Sequence, residues 1–486
     1  MKKLLPLSLV LLAGCTVGPN YAGPPRTAAD AAARGTFVRA QDPALTPAPG
    51  LARWWEALGD PTLDSLVDDA LAHSPRIDEA QATIRQARAQ LRSQQVNQLP
   101  SVSASASYLH AQLPGIDIGN AQGSGTTTTT GSGATSTSFN FYNLGGTASW
   151  EPDLFGGGRR GVEGARATLA QRFADLADAQ VSLSAEVAQA YVNLRDVQHR
   201  ADLNRQSTKL QQQALALTRT RYAGGTATKL DVERLQTQLN QTDAQNLPLG
   251  AQIDQYRDQL AVLTGRTPGA LDNTLSTAAP VPLPPAAVPI GDPATLIAHR
   301  PDVRSAERAL AAATAQIGVN KAKMFPSLSF RGILGLGGTA LRDVVDPNKF
   351  SALLAPQLSW SFLDFGRNRA MVRQSEAQRD QADAQYRQAV LQALQDAENS
   401  LSQFGNYRQQ LAQLVQAEQS AARSARLNAL RVQGGTSSTI DQLDIERQRY
   451  SATISVAQAT AQFTNSYITV QKALGLGWSD PARGSR

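Results

Sequence analysis

Residues 160–222 carry a helical pattern far longer than a compact domain needs. Positions that alternate four and three residues apart are mostly apolar, which is the seam of a coiled coil; they are Leu169, Phe173, Leu176, Gln180, Leu183, Val187, Ala190, Leu194 and Val197. At about 1.5 Å per residue, this helix would be about 95 Å long. The turn at Gly224 and Gly225 ends it, so the chain must reverse there and supply neighbours for the helix.

The whole pattern occurs twice, which indicates an internal duplication. Ile77 and Pro100 recur as Val303 and Pro326, and the turn recurs at Gly434 and Gly435. The second long helix is predicted at 369–432, with Tyr386, Val390, Ala393, Ala397, Ser400, Phe404 and Tyr407 on its seam. Shorter helices are predicted at 76–99, 227–264, 302–325 and 438–475. In each copy, two short helices placed end to end nearly equal the long one, so they can line it in antiparallel fashion.

Between the helices the period changes to that of a β-strand. Ser101, Ser103, Ser105 and Ser107 alternate with Val102, Ala104, Ala106 and Tyr108, and a second alternating run ends at Trp150. This predicts a hairpin over about 101–151, repeated over about 327–363 with Trp360 in the return strand. Residues 112–138, rich in Gly, Ser and Thr, are predicted as a mobile loop. Each hairpin has one apolar and one polar face, and a soluble hairpin packed on its own core is the alternative.

The chain begins with features of a lipoprotein. Lys2 and Lys3 precede a short apolar run that closes on Leu12-Ala13-Gly14-Cys15, with the only cysteine of the chain. We predict a signal peptide (1–14), lipidation of Cys15, and a lipidated N-terminal linker (15–53). The first repeat then covers 54–275, a Pro-rich linker 276–293, the second repeat 294–478 and a C-terminal tail 479–486. An ordinary signal peptide with an incidental cysteine is the alternative.

Composition disfavours several functional classes. The formal net charge is +6, but Arg, Asp and Glu are interleaved, so no nucleic-acid partner is expected. A single cysteine and four scattered histidines give no pattern of metal ligands, and no cofactor is expected beyond the covalent lipid on Cys15. No nucleophile or pocket motif indicates an enzyme.

Four strands per chain cannot close into a barrel, because the smallest barrels need about eight strands. Unpaired strand edges are not tolerated in lipid, so several chains must contribute. Three chains would give about twelve strands and a lumen wide enough for water. The serine-rich face would then line the lumen and the apolar face would meet lipid, with Trp150 and Trp360 as interfacial aromatic residues.

The ordered combination of helix, Pro-Ser strand, hairpin, Trp-containing strand, Phe-Gly, long helix and Gly turn resembles the outer-membrane factors of TolC and OprM type. With the lipidation motif it is most similar to their NodT-like lipoprotein branch. The resemblance implies an α+β membrane protein: a long antiparallel α-helical coiled-coil barrel plus a transmembrane β-barrel of four strands per chain, twelve per homotrimer. It implies a lipid-anchored channel in the bacterial outer membrane with its helical part in the periplasm.

The same resemblance implies partners and a gate. A periplasmic adaptor and an inner-membrane RND-type pump would dock onto a passive exit duct for small molecules or drugs, with Gly224, Gly225, Gly434 and Gly435 in the adaptor-contact turns. Asp441 and Asp444 match the family's Asp-x-Leu-Asp, whose carboxylates form acidic rings at the constricted periplasmic tip. Aspartates in a first helical turn can also simply complement the helix dipole. Arg234 stands at the equivalent of Asp444 in the first copy, and Ser437 stands where some relatives carry a latching arginine.

Two other functions fit the same sequence. An exit duct for type I protein secretion would share the architecture, although the lipidation motif favours small-molecule efflux. A periplasmic coiled-coil scaffold or adaptor lipoprotein would have hairpins that never enter a membrane.

Overall fold

The computed structural model describes residues 16–114, 126–130 and 134–478. The predicted signal peptide, Cys15 and the C-terminal tail (479–486) lie outside the described residues, as do two parts of the predicted loop, 115–125 and 131–133. Among the described helices, none combines the length and the apolar character needed to cross a membrane.

Helices make up most of the described chain. In order they are α1 (Ala29–Arg34), α2 (Pro61–His73), α3 (Pro75–Val96), α4 (Gly157–Ala223), α5 (Lys229–Leu263), α6 (Pro293–His299), α7 (Pro301–Ala322), α8 (Arg367–Gln433) and α9 (Thr439–Ala473). The strands are β1 (Leu45–Thr46), β2 (Ser101–Pro114), β3 (Thr126–Thr130), β4 (Ala134–Trp150), β5 (Val288–Pro289), β6 (Ser327–Gly338) and β7 (Phe350–Ser359). The six predicted long and short helices are therefore confirmed, with ends that differ by up to three residues.

Local capping explains where the helices begin. The carboxylate of Asp60 accepts hydrogen bonds from the backbone N–H groups of Thr62 and Leu63 at 2.9 and 3.2 Å, ahead of α2. Pro61 occupies the first helical position, where its missing N–H costs nothing. Thr228 and Ser438 occupy equivalent caps of α5 and α9, each closing a capping box with the aspartate three residues later.

The chain divides into two compact units. One comprises the residues up to Pro24, Arg85–Ala170 and Arg308–Ala384, and it contains the large sheet. The strands of this sheet run in the order β2-β4-β6-β7, all antiparallel, and β3 also pairs with β4. The register sets Ser103 opposite Thr147, and Ala148 opposite Gly332.

The prediction of a mobile loop over 112–138 is wrong wherever those residues are described. Residues 112–114 belong to β2, Thr126–Thr130 form β3, and 134–138 belong to β4. The sheet thus has five described strands where four were predicted. Polar composition misled the interpretation, because threonine is β-branched and favours extended backbone, and an antiparallel ladder uses only backbone groups.

The second unit comprises Pro25–Ile84, Gln171–Glu307 and the residues from Gln385 onward. Its core is built on the two predicted seams: most of their residues within this unit are buried, among them Leu183, Val187, Leu194, Val390 and Phe404. Leu176, Gln180 and Tyr407 are half-buried, and Phe173 is exposed, with 39% of its surface accessible. Tyr191, Val192 and Ala188 are buried as well, so this part of α4 is covered over more of its circumference than a two-helix seam requires.

The two linkers explain the additional burial. The predicted extended linker 15–53 contains α1 and β1, and β1 pairs in parallel with β5 of the Pro-rich linker. Glu398 on α8 accepts the backbone N–H groups of Val38 and Arg39, each at 2.8 Å. On α4, Arg195 donates to the carbonyl of Thr277 at 2.7 Å. Charged and polar side chains of the long helices therefore fix segments whose own sequence predicted no structure.

Candidate functional site: the membrane face, the helical tips and the anchor

One face of the four-strand sheet is apolar and exposed from the pair Trp150 and Phe330 to the pair Tyr108 and Tyr142, and beyond that it becomes polar with His110 opposite Asn140. The register places residues of one face side by side: Val102 beside Ala148, Leu144 beside Leu336, and Leu334 beside Ala352. The large side chains on this face are among the most exposed apolar residues of the chain; they include Val102, Leu144, Leu334, Phe350, Leu354 and Leu358. A soluble protein rarely leaves so continuous an apolar surface uncovered. The face therefore requires an apolar partner.

The opposite face is mainly hydroxylated. Ser101 and Ser149 hydrogen-bond through their side chains at 2.8 Å, and so do Ser103 and Thr147. The prediction of a serine-lined polar face is confirmed for these strands. Two apolar pairs depart from it, since Ile333 lies opposite Leu353 on this face and Leu109 lies opposite Phe141.

Aromatic residues mark both ends of the apolar face. At one end Trp150 stacks on Phe330 with ring centroids 5.9 Å apart, and at the other Tyr108 packs on Tyr142 at 4.9 Å. The eight residue steps from Tyr142 to Trp150 rise about 27 Å along the strand, or about 21 Å along the normal of a membrane at the usual strand tilt. This matches the apolar band of outer-membrane barrels, which is about 25 Å tall.

The two tryptophans predicted at the interface occupy equivalent places in the two copies. The indole N–H of Trp150 donates to the carbonyl of Gln98 at 3.0 Å, and that of Trp360 donates to the carbonyl of Met324 at 3.2 Å. Both rings remain exposed. A satisfied polar edge beside an exposed apolar ring is what an interfacial tryptophan needs.

The Gly-Gly turns reverse the chain between the long and short helices. Gly225 and Gly435 have φ of 73° and 72°, in the left-handed region where a side chain would be strained. In both turns the N–H of the following threonine reaches back to the carbonyl of an arginine five residues earlier, at 2.8 Å. This Schellman arrangement closes the helix ends, and the turns lie where the sequence predicted them.

Asp441 takes part in the cap at the start of its own helix, α9. Its N–H donates to the Ser438 hydroxyl at 3.0 Å, and its carboxylate accepts the Ser438 N–H at 3.3 Å. Hydrogen bonds from the Ser438 side chain and backbone hold the pKa of Asp441 below its usual range. The carboxylate therefore stays charged at neutral pH, and it serves helix capping whatever else it does.

Asp444 lies one turn further along α9 and is 57% exposed. Its nearest ion-pair partner is Arg447, with nitrogen and oxygen 3.6 Å apart. It also lines a shallow groove with Leu210 and Ala214 of α4 and Leu235 of α5. The structure thus brings Asp444 beside the helix pair α4 and α5, a position that the sequence did not predict.

Sequence reasoning missed a polar network between α8 and α9, in which Asn428 is buried and its partners Gln442 and Ser437 are half-buried. The amide of Asn428 donates to Gln442 at 2.8 Å, and its oxygen accepts the Ser437 hydroxyl at 2.9 Å. Gln442 also donates to the carbonyl of Ala425 at 3.2 Å. These bonds tie α8 to α9 next to the turn. The corresponding residue of the first copy, Thr218, is fully buried, and its hydroxyl has no hydrogen-bond partner among the described residues, so the network is not repeated between α4 and α5.

The segment that follows Cys15 is fixed at the start of α4. The Arg160 side chain is only 4% exposed and donates to the carbonyls of Val17 and Gly18 and to the Asn20 side chain, at 3.3, 3.2 and 2.6 Å. The N–H of Val17 donates to the carbonyl of Phe155 at 3.1 Å. Cys15 itself lies outside the described residues, but Val17, two residues later, is hydrogen-bonded to Phe155, five residues past the end of β4.

Comparison with known proteins agrees with this geometry. The sequence profile described as "Outer membrane efflux protein" matches residues 66–266 and 293–476. The chain belongs to the outer membrane efflux protein family. The two matched segments coincide with the two repeats, on either side of the Pro-rich linker.

Two curated relatives show how far the similarity extends. A nodulation protein T of Rhizobium leguminosarum bv. trifolii is 28% identical over 478 residues, which is 98% of each chain. The pyoverdine export outer membrane protein OpmQ of Pseudomonas aeruginosa is 30% identical over 439 residues, 89% of each chain. Among solved structures, the outer-membrane channel OprN superposes with a TM-score of 0.84 at 32% identity, over 96% of this chain and all of that one. The predicted family, fold class, outer-membrane location and channel function are confirmed.

Proposed function

We propose that this efflux protein is a passive exit duct for small molecules, in which three copies close a transmembrane β-barrel around a water-filled lumen. The observation that carries the proposal is the exposed apolar face of the sheet, bounded at both ends by aromatic rows at the spacing of a bilayer. Lipid is the partner that such a face fits. The hydroxylated face then lines water.

The number of strands sets the number of copies. The four strands that follow one another across the sheet leave β2 and β7 with one unpaired edge each, and those edges need partners inside a membrane. Three copies give about twelve strands, whereas two give about eight, a bore that side chains fill. The family assignment brings with it the predicted homotrimer, periplasmic adaptor and inner-membrane RND-type pump.

The protein moves its substrates without catalysing a reaction. A mainly hydroxylated wall offers passing solutes many weak hydrogen bonds, which suits conduction. Energy for transport then comes from the pump. A relative is named for pyoverdine export, and this favours small organic molecules over secreted polypeptides as the substrate class.

Asp441 and Asp444 are our candidates for the periplasmic gate. Their carboxylates lie on consecutive turns beside the Gly434-Gly435 turn, so threefold symmetry would stack two acidic rings at the end of the helical duct. Like charges held close repel one another and attract cations. Arg447 would lower the charge of the Asp444 ring, which leaves Asp441 as the stronger of the two.

Cys15 is our candidate for lipid attachment. The hydrogen bonds from Arg160 to residues 17–20 hold the segment after Cys15 close to the end of β4, where Trp150 marks the predicted interface. Acyl chains on Cys15 would therefore enter the lipid beside the barrel rather than at the end of a free tether. Cells that express the chain should incorporate labelled palmitate into it, and Cys15→Ser should abolish the label. Label retained in Cys15→Ser would exclude this attachment site.

A transport assay tests the proposed function. The chain is expressed with its adaptor and pump in a strain that lacks its own outer-membrane channels, and retention of a fluorescent pump substrate is measured. We expect retention to fall only when all three proteins are present. If the chain alone, or a pump-inactive combination, lowers retention equally, or if none of the combinations does, the proposal is contradicted.

A further inference from the structure

One ionised side chain stands on the wall of the proposed lumen. Among the described strands of the large sheet, Arg331 is the only Asp, Glu, Lys or Arg residue. It lies in β6, four residues after the strand begins, and it is exposed. An arginine is charged at every physiological pH. A charge with no counterpart along the rest of a pore wall dominates the electrostatics of that wall.

The register assigns Arg331 to the hydroxylated face. It lies directly between Ser149 of β4 and Ala355 of β7. Its neighbours along the strand, Phe330 and Gly332, belong to the apolar face, because successive residues of a strand alternate. Small side chains on both sides leave the guanidinium room to extend into the lumen.

The nearest carboxylate along this face is that of Glu151. It follows the last residue of β4 and is exposed, which places it toward the helical end of the sheet. On the other side of Arg331, the pair Ile333 and Leu353 is apolar. Water next to apolar side chains screens a charge less well than bulk water does. Glu151 offsets the charge of Arg331 on one side, so the positive potential of Arg331 is stronger on the side of Ile333 and Leu353.

We propose that Arg331 makes this part of the lumen anion-attracting, with three copies forming a cationic ring through which anionic and zwitterionic solutes leave. The inference rests on the proposed barrel and specifies which solutes its wall favours. Positive charge here is the opposite of the acidic charge proposed for the periplasmic gate.

The size of the effect follows from the barrel geometry. Twelve strands tilted by about 40° enclose a lumen of about 12 Å radius, so three guanidinium groups would lie about 7 Å from the axis. In water at about 0.15 M salt, three unit charges at that distance enrich a monovalent anion on the axis roughly threefold. Removing them should lower the chloride-to-potassium permeability ratio by a similar factor.

The test is the reversal potential of purified channels in planar bilayers under a KCl gradient. We compare the wild type with Arg331→Gln, Arg331→Glu and Arg331→Lys, and confirm that each variant forms trimers on unheated gels. Arg331→Gln should shift the reversal potential toward that of potassium, Arg331→Glu should shift it further, and Arg331→Lys should keep the wild-type value. Glu151→Gln should shift it in the opposite direction, because this substitution removes a negative charge from the same face.

Chemical modification of a cysteine at position 331 tests the same charge effect without relying on a single substitution. Arg331→Cys is treated with a cationic or an anionic methanethiosulfonate reagent, and Gly332→Cys provides a matched site on the lipid face, where a β-carbon meets its nearest neighbour at an ordinary 3.7 Å. The cationic adduct at 331 should restore the wild-type selectivity and the anionic adduct should reverse it, while both leave Gly332→Cys unchanged. Treated wild type controls for Cys15.

The outcomes separate the two proposals. If the wild type conducts but neither Arg331→Glu nor the adducts at 331 change the reversal potential, the role of Arg331 is refuted and the channel stands. If trimers of the wild type carry no current, the proposed barrel fails, and the inference fails with it.

Discussion

Two adjacent leucines in β7 provide a direct test of which face of the sheet meets lipid. Leu354 is 69% exposed on the apolar face, opposite Gly332, and Leu353 is 60% exposed on the other face, opposite Ile333. The two side chains are identical, nearly equally exposed and one residue apart. Both lie near the middle of the strand, so they would lie near the midplane of the bilayer. Only the direction of the side chain differs.

The expected magnitudes differ widely. Arginine on the lipid face of a barrel at the midplane costs about 2–4 kcal/mol, so Leu354→Arg should cost a trimer about 6–12 kcal/mol. Leu353→Arg would place its charge in water and lose only part of a half-exposed contact with Ile333, at most about 1 kcal/mol per chain. Even the lower bound of about 2 kcal/mol corresponds to roughly a 30-fold change in the ratio of inserted to uninserted chain.

The assay measures the amount of trimer in outer-membrane fractions and the temperature at which unheated trimers dissociate on gels. We expect little Leu354→Arg trimer, and Leu353→Arg trimer at nearly the wild-type amount and dissociation temperature. Leu354→Gln should lie between them, because an uncharged polar group costs less in lipid. Equal effects of the two arginine substitutions, or a larger effect at Leu353, would refute the assignment of the faces and favour a hairpin packed on protein.

Two further predictions concern the gate and pH. Asp441→Ala combined with Asp444→Ala should raise the single-channel conductance and reduce the preference for cations. The control is Asp231→Ala, which removes the equivalent capping box of the first copy and should leave both properties unchanged. Unchanged conductance in the double variant would exclude these two aspartates from the gate. Tyr191 is buried and donates to Asp60 at 2.6 Å, and burial, aided by this bond, raises its pKa from 10.0 to about 12. Its stabilisation is complete below pH 10.0 and is lost as the pH rises toward about 12. Thermal unfolding of the trimer followed by circular dichroism should show this loss, and Tyr191→Phe should flatten it; an equally steep alkaline loss in Tyr191→Phe would contradict the role of this phenol.

Periodicity predicted the regular parts of the fold because burial imposes it on the sequence. Val390 and Phe404 recur at coiled-coil spacing, and Ser103 alternates with Val102 and Ala104, since each must point to a particular side. The offset in residue number between the two repeats then placed the helices and strands of the second copy. The positions of the Gly-Gly turns could also be predicted, because glycine readily adopts the left-handed backbone conformation that ends a helix.

Composition alone predicted less well. Thr126–Thr130 form a strand, since a backbone ladder does not require apolar side chains. The linkers are fixed by Glu398 and Arg195, which are distant in the sequence and whose partners are backbone groups without a sequence signature. The capping box of Asp441 could have been recognised, because serine followed three residues later by an acidic residue is its usual pattern.

The central claim is that separate copies of this chain enclose a hollow, and single-channel recording tests it most directly. Purified, detergent-solubilised protein is added to a planar bilayer on one side, with the oligomeric state measured on the same sample. We predict discrete current steps from the trimeric fraction, larger when Asp441 and Asp444 are replaced by alanine. A stable monomer that inserts and yields no steps, in the wild type or with the gate residues replaced, would contradict the account.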